Sequence, residues 1–182
     1  MYVLSDTHFG HDNIIEYCDR PFSSVEEMNE RLVENWNKTV EEDDEVLFLG
    51  DLTIAGTAEA FLKWISRLNG EIVFVVGDHD HEVMTTIDDV TVCEYFHLEH
   101  EGHTFYCIHD PANAPRNWDE WLLHGHHHNN WPDKFPFVNP HGGLINVSVE
   151  LLNYTPLSFD SLIQYLEQDE WLQTIDSASK CP

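Results

Sequence analysis

Short apolar runs that end abruptly in acids and histidines constrain this chain most. Val3-Leu4 runs into Asp6-Thr7-His8, and Val46-Leu47-Phe48-Leu49 into Gly50-Asp51. Ile72-Val73-Phe74-Val75-Val76 runs into Gly77-Asp78-His79-Asp80, and Phe105-Tyr106-Cys107-Ile108 into His109-Asp110. A fifth cluster, Gly125-His126-His127-His128, follows no comparable run. Continuous apolar runs of this length read as buried strands. Carboxylates and imidazoles at the ends of such strands converge on one edge of a sheet. Hard oxygen ligands mixed with imidazoles suit divalent manganese, iron, zinc or nickel. There are more ligands here than one ion needs, which points to a two-metal site.

Between the runs the pattern is helical. Asn13 to Cys18 is expected to form a short helix. Ser24-Val25-Glu26-Glu27 reads as a capping box opening a helix with Met28, Leu32, Val33, Trp36 and Val40 on one face. A second amphipathic helix is expected over residues 57–68, with Phe61, Leu62, Ile65 and Leu68 inward and a stop at Asn69-Gly70. Helix alternating with buried strand implies parallel pairing. The second half changes character. Residues 90–93, 95–100 and 103–108 read as strands, the last two joined by a turn at Glu101-Gly102. A Pro-containing loop, a strand over 144–151 and a helix over 159–166 follow. The fold class expected is α/β, with two packed mixed sheets flanked by helices. One domain is expected over residues 1–168, with 169–182 a loosely held tail.

The 182 residues include 34 acids against 8 bases, a formal net charge of −26. Ordinary apolar content and six tryptophans mark a folded protein rather than an acidic disordered segment. Such a surface repels itself at low salt, and molar salt shortens the Debye length to roughly 3 Å. A salt-loaded cytoplasm, as in a halophile, is the simplest setting for it. Nucleic-acid backbone and anionic lipid are poor partners for this charge. Cys18, Cys93, Cys107 and Cys181 form no C-x-x-C pair, so neither a disulfide framework nor a Cys-type zinc site is expected. No signal peptide or membrane-length apolar stretch is visible, and a cytoplasmic location is expected.

Five clusters in this order resemble the calcineurin-like metallophosphoesterases, whose pattern is D-x-H, G-D, G-N-H-D/E, a lone His, and G-H-x-H. The likeness runs from residue 3 to 128 and extends through Asn146-Val147-Ser148-Val149, similar to the family's closing strand. The opening residues 5–11, with Asn13-Ile14-Ile15 and Arg20-Pro21-Phe22, resemble a small prokaryotic and viral branch. The resemblance implies two divalent ions, manganese foremost, with iron, zinc, nickel or cobalt as alternatives. One ion would take Asp6, His8, Asp51 and His128. The other would take Asp51, Asp78, His109 and His126. His79 would not ligate but would touch the scissile phosphate and leaving oxygen. Asp80 is expected to orient the His79 ring. Asp78 departs from the family pattern, where the third cluster has Asn.

Several residues carry two readings. Asp12 or Asn13 caps the short helix, or His11 and Asn13 reach a phosphate at the rim. Arg20 and Arg116 are rare cations in an acidic chain, and each is a candidate clamp for a substrate phosphate. Phe9, Trp118, Trp131 and Phe135 either stack on a base or pack. His126 and His128 are expected to share a side in extended backbone, with His127 facing away and His124 in the same class as His127. His97, His100 and His103 are expected to be solvated, and His81 to be exposed at a helix start. The function expected is a dinuclear phosphoesterase in which a metal-bridging hydroxide attacks a small phosphodiester or monoester, of nucleotide type. A metal-binding scaffold with weak hydrolysis is one rival. A nuclease is another, and it would want a basic channel that the composition does not supply.

Overall fold

In the computed structural model, residues 1–80, 82–83 and 90–180 are described. The chain runs β1 (Tyr2–Leu4), α1 (Ile14–Tyr17), α2 (Val25–Thr39), β2 (Glu45–Phe48), α3 (Ala58–Ile65), β3 (Glu71–Val75) and β4 (Thr91–Cys93). It continues through β5 (Tyr95–His100), β6 (His103–Ile108), β7 (Trp121–His124), β8 (Val138–Asn139), β9 (Leu144–Asn146), β10 (Leu157–Ser158) and α4 (Phe159–Leu166). The strands form two five-stranded mixed sheets, ordered β10-β1-β2-β3-β4 and β5-β6-β7-β9-β8. In the first, β1 to β4 are parallel and β10 runs antiparallel at the edge. In the second, β6, β7 and β9 are parallel, with β5 and β8 antiparallel at its edges. This is the α/β sandwich that alternating runs followed by a hairpin lead one to expect. One apolar cluster joins both sheets to the helices: Leu4, Phe48 and Phe74 meet Met28 and Trp36 of α2, Phe61 of α3, Phe105 and Ile145 of the second sheet, and Phe159 of α4.

The helices follow their local signals closely. Ser24 caps α2 by accepting from the Glu27 amide at 3.2 Å, while the Glu27 carboxylate reaches back one residue further, to Ser23. In α3 the inward residues are Phe61 and Trp64, the latter stacked on Phe9 at 4.4 Å; Leu62 faces solvent at 49% exposure, contrary to expectation. The set 61, 64, 65 and 68 keeps the i, i+3, i+4, i+7 spacing of a core-facing stripe, and position 62 falls off it. Among the described residues, no helix is long and apolar enough to cross a membrane.

Two expectations about elements are corrected. The fifth cluster does follow a strand, β7, whose residues Trp-Leu-Leu-His include no β-branched side chain to mark it. The segment after α4 is docked rather than loose. Leu172 is buried and exchanges both backbone bonds with Val138, and Ile175 donates to the Leu151 carbonyl. Cys18, Cys93 and Cys107 are free, and Cys107 is a fully buried core residue. His81 lies outside the described residues.

The two sheets are joined where β1 ends. Ser5 forms a parallel bridge with Ser148, donating to the Val147 carbonyl and accepting from Val149. The parallel strands of both sheets therefore run in one direction, and the loops after β1, β2, β3, β6 and β7 open at the same edge.

Candidate metal centre

The loops after β1 and β2 continue side by side beyond their strands. The Asp6 amide donates to Gly50, His8 to Asp51 and Phe9 to Leu52. Asp6, His8 and Asp51 all hold left-handed backbone, with φ of 59°, 50° and 59°. So do His126 and His128, at 69° and 49°. Non-glycine residues seldom take this conformation, so five of them mark backbone held in place by its surroundings. The 126–128 segment is thus a tight turn, not extended chain. His126 and His128 both face the cluster because both are left-handed, and the expected alternation is not the reason. Two glycines let the loops close up. A Cβ at Gly50 (φ 84°) would meet the Gly77 Cα and the His109 ring, and one at Gly125 would strike the Asp6 carboxylate and Ser5.

Asp6 and Asp51 are each tied down by a backbone amide. Asp6 Oδ2 accepts from the Ser5 hydroxyl at 2.5 Å and the His126 amide at 3.1 Å, and lies 2.9 Å from the Ser148 hydroxyl. Its Oδ1 also accepts from the His126 amide at 3.1 Å and faces His128 Nε2 at 3.8 Å. Asp51 Oδ1 accepts from the His79 amide at 2.9 Å. Asp51 Oδ2 lies 3.5 Å from His8 Nε2 and 3.4 Å from His109 Nε2. That oxygen stands between two imidazoles whose facing nitrogens are buried and without a hydrogen-bond partner.

The imidazoles are held by their far sides. His109 Nδ1 is 2.7 Å from the Leu49 carbonyl, which fixes its proton there and leaves Nε2 as a lone-pair donor. His128 Nδ1 is 3.0 Å from Glu150 Oε1, which leaves its Nε2 toward Asp6. A carboxylate or carbonyl behind a histidine is the usual support of a metal-binding ring. Asp78 Oδ2 lies 3.4 Å from His126 Nδ1. Donor atoms within 4.8 Å of one another include Asp6–His8–His128, Asp6–Asp51–His109, Asp78–His109–His126 and His8–Asp51–His79. Together these sets bring all seven predicted ligands to one place, with Asp51 common to both halves. Buried, unpartnered ring nitrogens converging on carboxylate oxygens fit divalent cations of borderline softness.

The electrostatics agree. Burial opposes charge on His109, but the Asp51 carboxylate beside it, with Asp6, raises its pKa to about 10. Burial likewise opposes charge on His128, and Glu150 and Asp6 raise it well above the usual value. Burial alone dominates His8 and lowers it to about 2, keeping it a neutral donor. Burial would raise Asp51, but His109 and His8 around it hold it below the carboxylate range. The acids of this cleft draw positive charge to one point, and a divalent cation meets the same field.

His79 sits on the open side. Its ring is 43% exposed, edge-on to His8, and its Nε2 is 4.0 Å from Asp51 Oδ2. His11 lies on the other flank, 5.4 Å from His8 between ring centres. Asn13 is exposed and makes no side-chain cap to α1, so capping is not its role.

Two expected roles do not hold. Asp80 is fully buried, and its Oδ2 accepts from the Asp51 amide at 2.6 Å and the Gly77 amide at 2.9 Å. It fastens the second cluster to the third instead of steering the His79 ring. Burial, with Asp51 close by, raises its pKa to about 6. Arg20 is not a phosphate clamp. Its guanidinium is buried, bonded to Glu150 Oε1 at 2.7 and 2.9 Å and to the carbonyls of Thr7 and Asp6 at 2.8 Å each. Arg116 is exposed and takes no part in the contacts that build the centre.

The aromatics mostly pack. Phe9 is buried against Trp64, Phe135 stacks on the half-buried His127, and Trp118 donates to the Trp121 carbonyl; Trp131 is exposed. His124, expected to resemble His127, is fully buried on β7, with Nδ1 2.9 Å from the Gly125 carbonyl, and burial lowers its pKa to about 3. His97 packs among Tyr95, Tyr106 and Trp118, and His100 pairs with Asp160 at 3.1 Å. Glu150, Ser5, Ser148 and Asn146 are functional supports that sequence reasoning missed. An acid inside the apolar run 144–152 was the available signal for Glu150.

The profile of the calcineurin-like phosphoesterases matches residues 1–181. The chain belongs to that family. An uncharacterized protein of Methanocaldococcus jannaschii is 45% identical over 179 residues, covering 97% of this chain and 96% of that one. The gene 66 protein of Mycobacterium phage L5 is 35% identical over 81 residues, 43% of this chain and 39% of its own. Among solved structures, a protein of unknown function from Aquifex aeolicus superposes with a TM-score of 0.66 at 24% identity, covering 91% of this chain and 98% of its own. That likeness bears on the fold alone. Family membership makes metal-dependent hydrolysis of phosphate esters the activity to test, and the donor sets above are where its metals would sit.

Proposed function

We propose that this protein is a dinuclear, metal-dependent phosphodiesterase acting on a small ester of nucleotide type, with manganese the first ion to try. The observation that carries the reading is Asp51 Oδ2, 3.5 and 3.4 Å from two buried imidazole nitrogens with no hydrogen-bond partner among the described residues. One half of the centre would be held by Asp6, His8, Asp51 and His128, the other by Asp51, Asp78, His109 and His126. Bound divalent ions supply Lewis acidity toward phosphoryl oxygens and lower the pKa of water. The chain's own residues do the rest. His79, exposed and facing the cluster, is placed to donate a proton or hydrogen bond to the leaving oxygen. His11 flanks the same opening and supplies a second imidazole to a phosphate oxygen. The amide of His79 fixes one Asp51 oxygen, so the other cannot rotate away. With Arg20 committed to Glu150, the imidazoles of the rim become the principal side-chain donors to the substrate. The acidic surface suits a salt-loaded cytoplasm.

Asp78 supports a second reading, a metal-binding scaffold with weak turnover. It is a 58% exposed carboxylate where the family carries a neutral amide. A negative charge there holds a cation but repels a phosphate.

Asp51→Ala decides the bridging role. Metal content by plasma mass spectrometry and hydrolysis of bis(para-nitrophenyl) phosphate at saturating manganese should both collapse. Full hydrolysis by the variant would refute it. Wild-type protein that binds metal and turns over no phosphate ester would establish the scaffold reading instead.

A further inference from the structure

Beside the half of the centre made by Asp78 and His109, a groove of about 450 Å³ opens where the chain crosses from β4 to β5. Asp78 and His109 are among the residues that line it, so the groove adjoins the candidate metal centre. Its wall is aromatic. Tyr95, 52% exposed, stacks on Tyr106 at 5.3 Å with 14° between the rings. The wall is braced from behind, because Tyr106 and Ile108 pack with Leu122 and Trp118 in a small apolar cluster of their own. The mouth is acidic and amide-bearing, with Glu94, Asp110 and Asn113. Asp110 Oδ1 is taken by the Ala112 amide, which leaves Oδ2 to accept from a ligand.

These features select a chemistry. A flat exposed ring on a fixed support favours stacking by another ring, and bases stack on tyrosine without regard to identity. Acceptors around the ring favour a group that donates, such as an exocyclic amine or ring N–H. Carboxylates at the mouth disfavour a further phosphate beyond the one at the metals. The volume lies within the range of small-molecule sites. We propose that this groove takes the nucleobase of the ester substrate, its ring against Tyr95 and its amino donors toward Glu94 and Asp110. The inference rests on the phosphoesterase reading and deepens it. The substrate class becomes a nucleoside phosphodiester with one phosphate and an amino-bearing base.

Two esters with the same reporter group test it: the para-nitrophenyl ester of adenosine monophosphate and methyl para-nitrophenyl phosphate. With manganese-loaded wild-type protein, kcat/KM should favour the adenosine ester. In Tyr95→Ala the ratio of the two kcat/KM values should fall roughly tenfold, mainly through KM, the effect of losing one stacked base. Tyr95→Phe keeps the ring and should restore the ratio. Equal kcat/KM for the two esters in wild type, or a Tyr95→Ala ratio unchanged from wild type, would overturn the proposal. If wild type hydrolyses neither ester, the phosphoesterase reading fails on its own. The groove is then judged by calorimetric binding of adenosine monophosphate to the manganese-loaded protein. There, weaker binding by Tyr95→Ala supports it and equal binding by both proteins refutes it.

Discussion

Arg20→Leu distinguishes a structural cation from a substrate clamp. The Arg20 and Glu150 side chains are both essentially sealed from solvent, and they meet through two bonds of 2.7 and 2.9 Å. Removing the guanidinium leaves the buried Glu150 carboxylate with His128 as its remaining ion-pair partner among the described residues, and strips the carbonyls of Asp6 and Thr7 of a donor. Breaking a buried ion pair from one side costs about 3–5 kcal/mol. The titration of Glu150 gives a second measure. Burial would raise its pKa, but Arg20 and His128 lower it from 4.5 to about 2. A shift of that size corresponds to roughly 3 kcal/mol of linkage. Because the folded-state pKa is depressed, this stability is present above pH 4.5 and drains away as pH falls toward 2. At roughly 2–4 °C per kcal/mol for a chain of this size, Arg20→Leu should lower Tm by about 6–20 °C at pH 7. The acid-side slope of Tm between pH 4.5 and 2 should flatten at the same time. Thermal melts by circular dichroism across that pH range check both. Replacing Glu150 as well, in Arg20→Leu/Glu150→Leu, should recover part of the loss. A variant with an unchanged Tm and a raised KM would refute this account and return Arg20 to the substrate.

Two further outcomes are expected. Asp78→Asn should need more manganese to reach half-maximal rate, since a charged donor 3.4 Å from His126 becomes neutral, while turnover of an aryl phosphodiester at saturating metal stays level or rises; a large loss persisting at saturation would show that the surrounding shell requires the carboxylate. Tm should rise between low and molar salt as the repulsion of a net charge of −26 is screened, and a flat or falling series by scanning calorimetry would remove the salt-adapted reading.

The site was legible in sequence because chemistry and strand ends coincide. An apolar run followed by Asp and His states both where a strand stops and what its loop carries. That logic marked four of the five clusters the structure brings together, and the two-sheet layout was legible because the hairpin at Glu101-Gly102 broke the alternation of strand and helix. It failed where meaning depends on a distant partner. Arg20 and Glu150 are 130 residues apart, and only their meeting shows that the cation faces inward. Asp80 sits next to His79 in sequence, yet its partners are the backbone amides of Asp51 and Gly77. Strand β7 went unseen because Trp-Leu-Leu-His has no β-branched residue, unlike β1 and β2 with their valines. His126 and His128 reach the cluster through a left-handed turn rather than extended alternation, which side-chain periodicity does not reveal.

The left-handed residues at Asp6, His8, Asp51, His126 and His128 carry an evolutionary consequence. Each non-glycine residue in that conformation costs roughly 1–2 kcal/mol against glycine's ease there. Five together approach the whole margin by which a domain of this size stays folded. Selection for stability alone would drift these positions toward glycine, one mutation at a time, each step rewarded. A lineage released from metal binding should therefore shed its imidazoles and carboxylates quickly and become hardier as it did so. The five kept here are residues that a bound pair of metals would require.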